Sequence, residues 1–109
     1  TPILYTEGKY FTRINAMTGL PEGKVLLHFE FADPAECKKT FAGKACLSGF
    51  MPTYHLEWSS KQTVIDETKR HLDILADGGG YIFDTSAAIE NAKRENWEAM
   101  METVRNYKL

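Results

Sequence analysis

The chain is read as an α/β protein made of four consecutive βα units with parallel strands. Three observations predict this. Short apolar or alternating runs are each followed by segments with helical spacing. Glycine and proline clusters punctuate the joints between them. The best-defined joint is Asp77-Gly78-Gly79-Gly80-Tyr81-Ile82-Phe83-Asp84, where a long amphipathic segment stops, the backbone turns on glycine and a buried strand begins. These glycines precede the strand, whereas ligands in parallel α/β sheets gather beyond the strands' C-terminal ends. They therefore read as a turn rather than a phosphate cradle.

In the first unit, residues 2 to 7 form a short strand. Tyr10, Ile14 and Met17 then share a helical face that Gly19, Pro21 and Gly23 terminate. The second opens with residues 24 to 32, where Val25, Leu27, Phe29 and Phe31 alternate with Leu26, His28 and Glu30. That period of two argues for a strand with one wholly apolar face. Asp33-Pro34-Ala35-Glu36 supplies a capping carboxylate, a proline at the first helical position and an acid near the helix start, so a helix should run to about Phe41.

The third unit has a brief strand over 44 to 47, a loop Ser48-Gly49-Phe50-Met51-Pro52, an irregular stretch, and a helix from Lys61 to Ala76 capped by Ser60. Val64, Ile65, Thr68, Leu72 and Leu75 form its apolar stripe. Asp66 with Arg70 and Glu67 with His71 are placed on its solvated face. The fourth has a strand over 80 to 85 and a helix from about Arg94, with Trp97, Met100, Met101, Val104 and Tyr107 on one stripe.

Four such units need parallel strands joined by crossovers, as in an open sheet or part of a barrel. A complete (β/α)8 barrel takes roughly 250 residues, so this chain of 109 residues corresponds to about half of one. Half a barrel leaves two strand edges unpaired and an inner face uncovered. The expected partner is therefore another half, either elsewhere in a longer chain or a second copy. The opening Thr-Pro-Ile-Leu-Tyr, already inside a strand, suggests a processed product or a piece of something longer.

The composition is 43% hydrophobic and 26% charged, with a formal net charge of -2, which gives no nucleic-acid footprint. No apolar run approaches the ~20 residues that span a bilayer. Cys37 and Cys46 fit no metal-ligand spacing and read as reduced, packed thiols in keeping with a cytoplasmic setting.

If the apolar face of the second strand meets helices, His28 and Glu30 point to the other side. There they form either an acid/base pair or two ligands for a divalent metal; a hydrogen-bonded polar layer is the alternative. Glu7 and Asp84, at the ends of the first and fourth strands, should join Glu30 at the mouth. With His28, these carboxylates would suit a metal, held by Glu7 and Glu30, or a cationic substrate group. His55 falls in a mouth loop, within reach of ligand or simply solvated. Tyr5, Tyr10, Phe50, Met51 and Trp58 offer an aromatic and apolar wall for a flat ring system, or ordinary packing. Asp33 is accounted for as a cap.

Ala45-Cys46-Leu47-Ser48-Gly49-Phe50-Met51-Pro52, Asp77-Gly78-Gly79-Gly80-Tyr81-Ile82-Phe83 and Glu95-Asn96-Trp97-Glu98-Ala99-Met100, in that order, resemble the C-terminal half of the uroporphyrinogen decarboxylase family, which includes corrinoid-linked methyltransferases. Tyr5-Thr6-Glu7-Gly8-Lys9-Tyr10, Leu20-Pro21-Glu22-Gly23-Lys24-Val25, and Asp33 with Lys38 look like a particular branch of it. The resemblance implies the last four units of a (β/α)8 TIM-type barrel and a tetrapyrrole or methyl-carrier ligand. It also implies departures. The methyltransferases' zinc-binding His-x-Cys-Gly is matched to Tyr5-Thr6-Glu7-Gly8 and their later cysteine to a position near Ala87. The decarboxylases' Gly-His-Gly is Ser86-Ala87-Ala88 here, and the family's Gly-Asn is Gly49-Phe50. Either the chemistry of this branch differs, as decarboxylation or methyl transfer by other residues, or the chain is a binding and assembly module that kept the scaffold.

Overall fold

The computed structural model describes residues 1–109. Its strands are β1 (Ile3–Lys9), β2 (Leu26–Phe31), β3 (Cys46–Met51) and β4 (Tyr81–Thr85). They form one sheet in the order β1-β2-β3-β4, and every neighbouring pair is parallel. The helices are α1 (Pro34–Phe41), α2 (Thr53–Trp58), α3 (Lys61–Leu75) and α4 (Arg94–Asn106). The strand-then-helix alternation is thus present in all but the first unit, where Tyr10 to Met17 yields only a 3-10 turn, Ile14–Met17. That segment keeps one anchor, the buried Ile14, while Tyr10 and Met17 pack against the same core.

Leu27 and Phe29 of β2 are fully buried beneath the helices, with Phe41, Leu47 and Leu75. Side chains of a strand alternate in direction, so Leu26, His28 and Glu30 turn to the opposite face. The Asp33 cap accepts from the backbone N–H groups of Ala35 and Glu36 at 2.9 and 3.1 Å, with Pro34 in the first turn. Lys38 ties the units together: its Nζ donates to the carbonyls of Leu75, Asp77 and Gly79 at 2.8, 2.5 and 3.0 Å. It thereby caps the C-terminal end of α3 and holds the glycine turn ahead of β4.

The third unit departs from expectation. Ser48 to Met51 continue β3 rather than forming a loop, and α2 replaces the irregular stretch. Gly49 and Phe50 both have positive φ, 90° and 73°. Two successive residues in the left-handed region break the side-chain alternation at Phe50. Phe50, which strict alternation would set beside Ser48, instead stacks on Phe29 with ring centroids 5.2 Å apart. A non-glycine residue in this conformation costs about 1–3 kcal/mol, and burying a phenylalanine recovers a comparable amount. Met51 follows into a second cluster with Leu56, Val64 and Met100.

His71 is another correction, being buried rather than on the solvated face of α3. Its Nδ1–H donates to the Glu67 carbonyl at 2.7 Å. Burial lowers its pKa, and burial likewise lowers that of His55. Neutral in both states above the ordinary histidine value of about 6.5, His71 adds nothing there; below it the unfolded chain takes up the proton first. Stability should therefore fall as pH drops from about 6.5 through the depressed folded value. Glu67, whose pKa the hydrogen bond from Arg70 lowers, extends the loss to more acidic pH. Urea midpoints at pH 8 and pH 5.5 should show this decline, and His71→Gln should flatten it; an equally steep decline in H71Q would exclude His71 as its source.

Cys37 and Cys46 are free thiols. Burial, reinforced by Asp33 and Glu36, pushes the Cys37 thiol up to about 12, whereas Cys46 is half-buried and raised by burial alone. Iodoacetamide at pH 8 should modify Cys46 first and Cys37 only upon unfolding, because the thiolate is the reactive form. Peptide mass mapping against time would read the order.

Candidate functional site

β1 carries an irregularity between Thr6 and Lys9, where Gly8 has φ 83°. The Gly8 N–H donates to Glu30 Oε2 at 2.6 Å. Glu30 thus satisfies a backbone donor that the bulge releases from the ladder. Thr6 fastens the same two strands by donating its hydroxyl proton to the His28 carbonyl at 2.8 Å.

Register brings the next groups together. Tyr5 pairs with His28 and His28 with Ser48, so their side chains share one face of the sheet. Ser48 pairs with Ile82, two residues before Asp84 on that face. His28 is 8% exposed and Tyr5 67%, their ring centroids 5.0 Å apart. The imidazole Nε2 lies 3.0 Å from the Thr85 carbonyl and 3.4 Å from Asp84 Oδ2. Asp84 is itself held, accepting from the Thr85 N–H at 2.8 Å and from the Ser48 hydroxyl at 3.4 Å.

These residues border a cavity of about 400 Å³ on the sheet face away from the helices, toward the C-terminal ends of the strands. It is lined by Tyr5, Thr6, Glu7, His28, Glu30, Asp84 and the Ser86-Ala87-Ala88 turn. The structure therefore collects Tyr5, Glu7, His28, Glu30 and Asp84, drawn from β1, β2 and β4. Phe50, Met51 and His55 lie elsewhere. Phe50 and Met51 are core residues facing the helices, Phe50 because of the backbone at Gly49 and Phe50, Met51 because it keeps the face of Leu47. His55 sits within α2, not in a mouth loop, with its Nδ1 2.6 Å from Ser59 Oγ. Trp58 is 75% exposed and lines none of this cavity.

The same geometry tests the expectation of a metal held by Glu7 and Glu30. No three His, Cys, Asp or Glu side chains converge as a metal-binding group. Glu30 spends an oxygen on Gly8, and the His28 Nε2 faces a carbonyl. The arrangement does not fit a metal centre. What it holds is one imidazole among three carboxylates.

Asn96 had no role of its own in the sequence beyond its place in the Glu95-Asn96-Trp97-Glu98-Ala99-Met100 stretch. It is fully buried, and its Nδ2 donates to the carbonyls of Ser59, Leu56 and His55 at 2.9, 3.2 and 3.4 Å. It thereby fastens α4 to the end of α2. The available signal was its place three and four residues before Ala99 and Met100, the buried positions of α4.

No helix is long and apolar enough to cross a membrane. No curated protein and no solved structure matches the chain significantly. The family model described as Uroporphyrinogen decarboxylase (URO-D) matches residues 1–107. That match covers nearly all of the four parallel-stranded units and every residue of the strand-end cavity, so the chain belongs to the uroporphyrinogen decarboxylase family.

Proposed function

We propose that the chain is the C-terminal half of a uroporphyrinogen-decarboxylase-like barrel enzyme and that its cavity serves methyl transfer from a corrinoid carrier, with His28 as the proton acceptor. The supporting observation is the sign of the cavity's charge. Glu7, Glu30 and Asp84 line it without a single lysine or arginine. Such a wall repels the carboxylates of a uroporphyrinogen and favours a neutral or cationic methyl-bearing group. In the family's corrinoid-linked methyltransferases, zinc makes the acceptor thiolate. Here His28 removes the thiol proton, and the thiolate attacks the methyl carbon as the bond to the carrier breaks. The open edges of β1 and β4 are covered by the remaining strands of the barrel, which supply the opposite wall.

The test is turnover by the intact protein of methylcobalamin with 2-mercaptoethanol, followed by the corrinoid spectrum, with uroporphyrinogen decarboxylation assayed in parallel. His28→Ala should cut methyl transfer by about 10²–10⁴-fold, the usual contribution of a positioned acid or base. A variant within twofold of wild type would remove His28 from the chemistry. Carboxyl loss from uroporphyrinogen alone would reassign the enzyme to decarboxylation. Tight binding of the corrinoid without turnover in either assay would favour the non-catalytic module, a reading that Ser86-Ala87-Ala88 in place of Gly-His-Gly supports.

A further inference from the structure

Resting on His28 as the proton acceptor, we infer that Asp84 and the Thr85 carbonyl, rather than Glu30, position it, fixing the ring proton on Nε2 and presenting Nδ1 to the substrate. A carbonyl oxygen only accepts, so the 3.0 Å contact with Thr85 requires Nε2 to be the donor. A neutral imidazole with one nitrogen donating has the other free to accept. The atom that takes the substrate's proton is therefore Nδ1.

Asp84 reinforces the choice. Its Oδ2 stands 3.4 Å from the same Nε2, close enough to favour hydrogen there and to offset the charge that appears when Nδ1 is protonated. The carboxylate is not free to swing, because Thr85 N–H and the Ser48 hydroxyl both donate to it. Being 51% exposed at the side chain, it acts with a screened charge, as a positioning residue. Glu30, the nearer neighbour in sequence, is engaged by Gly8 on the other strand. The ring's own seat is shaped by Tyr5 and by Gly49, where an added Cβ would come within 3.2 Å of His28 Cε1. In the reaction a thiol S–H gives its proton to Nδ1; the imidazolium keeps its Nε2–H on the Thr85 carbonyl and later releases the Nδ1 proton to water.

The experiment is ¹⁵N NMR of the intact protein labelled at histidine, at a pH where the rings are neutral. Wild type should show His28 with hydrogen on Nε2. Asp84→Asn can still accept from Thr85 N–H and should therefore fold, yet it should bring in a measurable Nδ1–H population that Asp84→Glu reduces. Glu30→Gln should leave the His28 signals unchanged. Hydrogen on Nδ1 in wild type, an unaltered tautomer in D84N, or a shift in E30Q as large as in D84N would each overturn the inference. None of these readings needs substrate, so they stand apart from failure of the methyl-transfer assay. In that assay D84N should lower kcat about tenfold with KM unchanged, and an unchanged kcat would overturn it as well.

Discussion

Gly49→Ala is expected to destabilise the protein by more than about 3 kcal/mol, a fall in Tm on the order of 15 °C. Two costs combine. At φ 90° any residue with a β-carbon pays about 1–2 kcal/mol. The added Cβ would then lie 2.3 Å from the Phe29 carbonyl oxygen and 3.0 Å from its nitrogen. Those atoms belong to β2, which pairs with β3 here, so relief requires prying the two strands apart. The His28 ring is also touched, and activity should fall with stability. Gly43→Ala is the control: its φ is 72°, but nothing lies within 4 Å of the added carbon. A thermal melt of G43A should show only the conformational cost. If G49A melts no lower than G43A, the close approach of β3 to Phe29 is wrong.

Asn96→Asp should be nearly as damaging, at about 3–5 kcal/mol near neutral pH, although it replaces one NH2 with one oxygen. The lost group serves the carbonyls of His55, Leu56 and Ser59. An aspartate would direct an oxygen, and a buried negative charge, at three acceptors. No lysine or arginine bonds to Asn96 to compensate; its Oδ1 is already buried without a partner. Protonating the new carboxyl restores one donor, so the deficit of N96D relative to wild type should shrink as pH falls. Denaturant unfolding at pH 7.5 and pH 5 would measure both parts. A deficit that is small, or equal at the two pH values, would contradict the bonding described for α2 and α4.

These two residues mark where sequence reasoning stops. The alternation of Leu27 and Phe29 against His28 and Glu30 sorted β2 onto its two faces without further help, because a regular strand has a fixed period. The Asp33-Pro34-Ala35-Glu36 start of α1 was equally local, since a cap needs only its own next three residues. On β3 the same rule failed. Extending the alternation past Gly49 gives the wrong face for Phe50, and reading Ser48 to Met51 as a loop lost Phe50 and Met51 to a wall they do not form. His71 was misplaced for a related reason: it lies on the Val64, Thr68, Leu75 stripe, seven residues after Val64, but its charge class argued for solvent. Whether a polar residue is buried depends on an acceptor offered nearby, here the Glu67 carbonyl.

The amino-acid order alone determined four successive units, the parallel strands that such units demand, and the gathering of Glu7, Glu30 and Asp84 at the strand ends beside His28. Each follows from short-range periodicity, capping and connection length. Only the tertiary structure decided that Phe50 leaves its alternating face at Gly49, that Glu30 serves Gly8, and that His28 meets Asp84 and Thr85, 56 and 57 residues away. Those outcomes turn on the space left beside Phe29 and on which backbone groups a bulge or a strand end leaves unpaired, and neighbouring elements set both.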